Sequence, residues 1–496
     1  MVDALRHSAR RRAPGSQWLA SFPPSGVGSR ASQLAEQLRQ ALAAGVLRPG
    51  DRLPPSRQLA AELALARGTV VAALEQLTAE GLVDAVVGSG TFIAAAAALA
   101  RRESRIDRHA AWQAPRQVPA APAVDAPLLA ALDFRPCRPG IADFPVNLWR
   151  RALSWAARSR PGSDYGDPRG DGLLREALSD YLRRARGLAL ASDDLMVTNG
   201  AVHAMHVIAQ VYLAGASEAA GARQSPVAVM EDPGFPLARQ LFAGAGARIH
   251  DAPVDDEGLR IDALPEAAQD VRLVYVTAAN QFPTGVRLSL SRRQALIAWA
   301  RQAGALIVED DYDGEFRYDV EPLPPLAAVG AGQVAYCGSF SKTLFPDLRL
   351  GFVAAHEQQI ELLARYRIRT DYTGNRIAQR ALAWFIAEGH YERHIHRMRR
   401  RYSAKRQLVV ETLERLALPL RLLGTQSGLN VTVAFDAPVQ GLDAQGFVAR
   451  ARQRQVLIPS LDLYQHANRA RTGVVLGYAA LDHGQIERGL ARAFAP

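Results

Sequence analysis

From about residue 133 onward the chain alternates two kinds of apolar spacing. Short continuous apolar runs recur as DLMVTNG, PVAVMED, RLVYVTA, ALIVEDD and VAYCGSFS, each closed by polar or glycine residues. Helical spacing fills most of the gaps between them. Runs of this length read as strands buried on both faces, and the intervening stretches as crossover helices of a parallel sheet. The pattern predicts an α/β domain with ligand groups at the carboxyl ends of its strands. From about residue 390 the spacing changes to basic helices and shorter strands, which predicts a smaller C-terminal subdomain within 133–496. No internal repeat is evident.

The front of the chain, residues 18–93, follows another grammar. LAEQLRQALAAGVL is amphipathic and stops before the turn RPGDRLPP. PSRQLAAELAL reads as a second short helix, and ARGTVVAALEQLTAEG as a third that ends at Gly81. LVDAVVGSGTFI supplies two strands around the turn Gly88-Ser89-Gly90. Three helices followed by a hairpin is the order of a winged helix-turn-helix. In that fold Arg67 and Thr69 begin the helix that enters the major groove. Arg57 reaches a phosphate or base from the second helix, and the wing lies along a groove. A small three-helix interaction module is the plainer alternative. Residues 94–132, rich in alanine, proline and arginine with weak amphipathic period, read as a linker.

Composition narrows the class. A chain of 496 residues exceeds one ordinary core, and 48% hydrophobic with 22% charged residues is a globular balance. Cys137 and Cys337 are the only cysteines, which gives no disulfide framework or metal spacing and makes a reducing cytoplasm the expected compartment. No run of about 18 apolar residues appears. The basic start MVDALRHSARRRAPGSQW lacks the apolar core of an export signal, so no membrane association is expected. A net charge of +10 permits nucleic-acid binding without requiring it.

The basic residues hold an oddity. Lys and Arg total 59, yet only Lys342 and Lys405 are lysines. Lys405, in RMRRRYSAKRQL, reads as an ordinary surface residue. Lys342 sits in GSFSKTLFPDLRLGF, directly after an apolar strand. An arginine stays protonated, whereas a lysine amine can lose its proton and attack a carbonyl. Ser339, Ser341 and Arg349 beside it form a set able to hold a phosphate while the amine forms an imine. Asp310 ends the strand ALIVEDD, where a carboxylate can keep a pyridinium nitrogen protonated. Tyr312 is within reach of a ring hydroxyl in that arrangement. The strand-to-helix turn TNGAVHAM offers amides to an anion, and Phe235 of EDPGF offers a ring for stacking. Each has a plainer alternative: an acidic loop, a core phenylalanine, an ordinary turn. Their weight comes from falling, in order, at the ends of successive strands.

The front segment closely resembles the GntR family of DNA-binding domains through LRPGDRLPPSRQLA, ARGTV, EGLV and GSGTFI. One departure is Ala66, where such domains usually carry a serine or threonine that caps the third helix, a loss of about 1 kcal/mol. The rear segment, through YGDPRGDGLLREAL, NQFPTGVRLSLSRR and SFSKTLFPDLRLG, resembles fold-type I pyridoxal-phosphate aminotransferases. Together, from about residue 30 to the end, the chain resembles the MocR family of transcription regulators, which are usually head-to-tail homodimers. The resemblance implies pyridoxal 5'-phosphate as cofactor and double-stranded operator DNA as partner. It assigns Lys342 to the Schiff base, Asp310 to the pyridine nitrogen, Tyr312 to the ring hydroxyl and Phe235 to stacking. Phosphate falls to Ser339, Ser341, Arg349 and the amides of Gly200, Ala201 and Val202. Asn280 replaces the usual histidine before Gln-Phe-Pro-Thr-Gly, and Tyr165 is expected to come from the partner subunit.

The largest departure is VVLGYAAL, which puts Val475 where aminotransferases carry an arginine that forks onto a substrate carboxylate. Losing such a contact costs on the order of 2–5 kcal/mol. Arg471 is the one nearby substitute. The expected function is a regulator that binds operator DNA through its winged helix and senses pyridoxal phosphate, in the branch governing vitamin B6 metabolism. The alternatives are a working aminotransferase, a regulator answering to an amino acid or amine that reacts with the cofactor, and a repressor that has lost the cofactor.

Overall fold

The computed structural model describes residues 28–95 except 87, and residues 132–495 except 161, 215–224, 267, 319–322, 331, 468 and 470. The chain forms two compact units, which divide at Pro119 and Ala120. Residues 18–27 of the expected front segment and 96–131 of the expected linker lie outside the described residues.

In the front unit, α1 (Arg30–Ala43), α2 (Ser56–Glu62) and α3 (Arg67–Ala79) precede a hairpin of β1 (Val83–Val86) and β2 (Gly90–Ile93). The amphipathic spacing of α1 buries Leu34, Ala35, Leu38, Ala41 and Leu42 on one face. These residues pack with Leu53, Leu59, Val70, Leu77, Val83 and Ile93 into one core. Ser29 caps α1, its Oγ accepting the Ser32 amide at 3.2 Å. Ala66 gives α3 no such bond. At the other end of α3, Gly81 adopts φ +71° and the Leu82 amide reaches back to the Leu77 carbonyl at 2.9 Å, closing the helix. Residues 50–53 run extended beside β2: the Gly50 amide donates to Ile93, the Ile93 amide to Asp51 and the Leu53 amide to Thr91, at 2.8–2.9 Å.

The rear unit opens with β3 (Leu132–Asp133), α4 (Val146–Ala157), α5 (Gly172–Arg186), β4 (Leu195–Thr198), α6 (Ala201–Ala209), β5 (Val227–Asp232) and α7 (Pro236–Gly244). It continues with β6 (Arg248–Asp255), β7 (Gly258–Leu259), β8 (Val271–Val276), α8 (Leu290–Ala303), β9 (Leu306–Asp311), α9 (Leu326–Val329), β10 (Val334–Ser339) and β11 (Gly351–Ala354). Then come α10 (Glu357–Arg367), α11 (Arg376–Ala387), α12 (His390–Arg415), β12 (Leu420–Leu423), β13 (Asn430–Phe435), α13 (Ala444–Gln453), β14 (Val456–Leu457), β15 (Gly473–Gly477) and α14 (His483–Phe494).

Eight strands form one sheet in the order β4-β11-β10-β9-β8-β5-β6-β7. The stretch β10-β9-β8-β5-β6 is parallel, and β11 runs antiparallel between β10 and β4. Strands β5 and β9 are buried along their whole length, as expected where both faces are covered. One face packs with α6 and α7 through Met205, Ile208 and Phe242, and the other with α8 through Leu296 and Ala300. Beyond α12, the strands β12, β13 and β15 make a separate antiparallel sheet. The opening segment joins this C-terminal part, with β3 pairing with β14 and the Gly477 amide donating to the Phe134 carbonyl. Lys405 lies on α12, half-buried rather than free on the surface, its ammonium donating to the Ala479 carbonyl at 2.8 Å.

Candidate functional site

The carboxyl ends of β4, β5, β8, β9 and β10 deliver the chemistry-bearing side chains to one region. Lys342 follows β10, and its Nζ donates to the Cys137 carbonyl at 2.7 Å. Cys137 is held at φ +63°, and burial pushes its thiol up to about 11 despite the nearby Lys342 ammonium. Its part in the site was hidden in the sequence, where it registered only as an unpaired cysteine.

Asp310 on β9 is buried at 5% exposure. Its Oδ2 accepts the Tyr275 hydroxyl of β8 at 2.7 Å, while Oδ1 is buried without a hydrogen-bond partner. Burial lifts this carboxyl from its ordinary 3.8 to about 7; the Tyr275 hydrogen bond and the Lys342 charge act in the opposite direction. An orphaned buried acceptor is costly, and a donor arriving on Oδ1 would relieve it. Tyr312 lies just past Asp310, its hydroxyl accepting from Asn280 Nδ2 at 3.1 Å. The same Nδ2 donates to both oxygens of Asp313 at 2.9 and 3.0 Å, and Asn280 Oδ1 accepts from Ser427 at 2.9 Å. Asn280 is thus a fully engaged brace for Tyr312 and Asp313.

Aromatic rings line one side. Phe235 meets Phe282 edge-on at 5.9 Å, and Phe282 meets Tyr312 at 5.8 Å and Tyr464 at 5.1 Å. Edge-to-face contact is the favoured geometry for such rings. Tyr464 enters because Asp232, at the end of β5, accepts the amides of His466 and Ala467 at 2.9 Å each and anchors that loop.

At the other side, Gly200 turns the chain from β4 into α6 with φ +90°. A Cβ at Gly200 would fall 3.5 Å from Arg349 Nη2. Arg349 donates to the Asn199 carbonyl at 3.0 Å, and the amides of Ala201 and Val202 stand at the open first turn of α6. Ser339 Oγ accepts the Ser341 amide at 3.2 Å. A helix N-terminus joined by an arginine and two hydroxyls is an anion-binding arrangement.

Three residues stand apart from this group. Tyr165 is 68% exposed and stacks on Tyr372 at 4.4 Å, with its carbonyl accepting the Thr373 hydroxyl. Val475 lies fully buried on β15, opposite Thr432. Arg471 is committed to Asp256 through an ion pair of 2.7 Å. In the front unit, Arg57 lies in the first turn of α2, Arg67 and Thr69 in the first turn of α3, Gly88 and Ser89 in the turn between β1 and β2, and Gly90 at the start of β2.

Residues 140–492 match the aminotransferase class I and II family, and residues 30–93 the gntR family of bacterial regulatory proteins. The probable rhizopine catabolism regulatory protein MocR of Rhizobium meliloti is 31% identical over 475 residues, 92% of this chain and 92% of that protein. The HTH-type pyridoxine biosynthesis transcriptional regulator PdxR of Corynebacterium glutamicum is 33% identical over 461 residues, 93% of this chain and 94% of that one. Among solved structures, the Pyrococcus horikoshii kynurenine aminotransferase, crystallised with PMP, is similar with a TM-score of 0.65 at 26% identity. That match covers 73% of this chain and 89% of the enzyme. The α-aminoadipate aminotransferase LysN of Thermus thermophilus, crystallised with N-(5'-phosphopyridoxyl)-L-leucine, gives 0.65 at 25% identity, covering 73% of this chain and 91% of the enzyme.

Proposed function

Since the chain belongs to the MocR family of transcription regulators, a GntR winged helix ahead of an aminotransferase class I and II domain, we propose that it senses pyridoxal 5'-phosphate and adjusts operator binding to it. The observation that carries this is the orphaned Asp310 Oδ1, buried in the same site as the only lysine at a strand end.

The residues fit the group. Asp310 would take a protonated pyridine nitrogen on its free oxygen. Tyr312, braced by Asn280, would face the ring hydroxyl, and Phe235 would cover the ring. Gly200, Ala201 and Val202 would hold the phosphate with Ser339, Ser341 and Arg349. When bound, the cofactor supplies an aldehyde carbon for an amine and a ring that withdraws electrons. Lys342 is the amine within the site, and its hydrogen bond to Cys137 keeps it there. The partner subunit of a head-to-tail homodimer would add its own copy of Tyr165, which is exposed in a single chain. Residues 94–132 would link the two functional units of a cytoplasmic protein.

Val475 argues for sensing over turnover. A buried aliphatic side chain offers a substrate carboxylate no forked hydrogen bond, and Arg471 already pairs through Nη2 with Asp256, its Nη1 being buried without a hydrogen-bond partner. That supports the cofactor itself as signal, hence vitamin B6 metabolism as the regulated process. The test is a titration of purified protein with pyridoxal phosphate. A visible band near about 400–430 nm should appear, vanish in Lys342→Ala, and accompany a change in operator affinity. Operator binding that ignores the cofactor would defeat the sensing role. Rapid turnover of an amino acid with a keto acid would point to an enzyme instead.

A further inference from the structure

Between Gly28 and Ala95 the sequence holds six arginines and six acidic residues, and no lysine. That stretch by itself carries no net charge toward a polyanion. Its attraction depends on which arginines are free and where they stand. Arg39 is already used: it pairs with Glu36 and Glu80 at 2.6 Å each. Among the described residues of this unit, Arg30, Arg48, Arg52, Arg57 and Arg67 make no ion pair. Arg57 and Arg67 lie at helix starts, as the sequence suggested. Arg52 lies elsewhere, on the wing.

Residues 50–53 run extended beside the wing, and Arg52 is bridged directly to Phe92 of β2. Its neighbours Asp51 and Leu53 are buried at 5% and 2%, whereas Arg52 is exposed. Strand alternation therefore points Arg52 off the outer face of the wing. Its guanidinium does not trail into solvent. A Cβ placed on Gly90 would fall 2.9 Å from Arg52 Nε and 3.2 Å from Nη2. The guanidinium thus lies along the bare backbone of Gly90, the residue where the wing turn re-enters β2. Gly90 has φ +117°, which disfavours any side chain there on backbone grounds as well. Asp84 shares this face, opposite Phe92, and makes no ion pair with Arg52.

We propose that Arg52 is a DNA-backbone contact of this winged helix, donating to a phosphodiester beside the wing. The proposal rests on the front unit being the DNA-binding domain. A guanidinium laid against backbone loses less side-chain freedom on binding than a free one, and its planar fork suits a phosphate. Because it reads no base edge, its contribution is the same on any duplex.

The test uses the full chain and two labelled duplexes: the stretch upstream of its own coding sequence, and a scrambled duplex of equal composition. Affinity is measured by anisotropy from about 50 to 200 mM salt, the range over which phosphate contacts show as a slope. Arg52→Ala should weaken binding to both duplexes equally and reduce the salt slope by about one. Arg52→Lys should keep the slope, and Arg39→Ala should leave slope and affinity unchanged. An Arg52→Ala protein with wild-type affinity and slope overturns the inference alone. So does a loss confined to one duplex, which would make Arg52 a base reader. Failure of the wild-type chain to bind either duplex overturns the winged-helix reading together with it.

Discussion

At the scale of single residues, Asp310 has the most direct physical consequence. Folding holds its carboxyl protonated up to about 7, while in the unfolded chain it ionises near 3.8. Between those values the folded protein carries a proton that the unfolded chain has released. Stability from this group is therefore full at low pH and is lost as pH rises through about 7. Asp310→Asn cannot ionise. Its stability in the cofactor-free state, read by thermal melting, should gain on wild type from pH 4 to pH 7 and level off above, a difference on the order of 4 kcal/mol. A gap independent of pH would show that Asp310 is ionised in the folded state. The sequence made Asp310 and Lys342 visible because they stand at or just past the carboxyl ends of β9 and β10, and Arg349 because it shares the motif of Lys342. Tyr275 and Cys137 were not visible as their partners. Tyr275 sits inside an ordinary apolar run, and the Cys137 contact joins positions 205 residues apart through a backbone carbonyl, which no side-chain pattern encodes.

At the scale of elements, the helix that begins at Arg67 starts without a side-chain cap, because Ala66 has no oxygen to offer. Ala66→Ser should raise the stability of the front unit by about 1 kcal/mol, read as a shift in its urea midpoint. No gain would mean that the α3 amides are satisfied in some other way. The five apolar runs were legible as strands because both faces of the sheet are covered. Strand β6, RIHDAPVD, escaped notice because its burial is only partial and its polar residues break the run. The antiparallel β11 was missed for another reason: GFVA is four residues long and follows the Lys342 loop with no turn signal of its own. Beyond α12, the sheet of β12, β13 and β15 was expected only as shorter strands. Its pairing with the opening segment through Phe134 and Gly477 is tertiary and left no local trace.

At the scale of the whole molecule, two binding events on one chain must obey linkage. If pyridoxal phosphate changes operator affinity by some factor, operator DNA must change cofactor affinity by the same factor, typically 5–150-fold in such systems. Titrating the visible band with and without saturating duplex should return the factor found by anisotropy. Unequal factors would mean that the two measurements do not report the same pair of states. Among the described residues no helix is long and apolar enough to cross a membrane. The buried Val475 then bears on the quality of the signal. A receptor that consumed its ligand would report how fast the metabolite flows, and its output would drift with every competing amine. One that retains its ligand unaltered reports concentration, and its memory lasts as long as the slowest step of release.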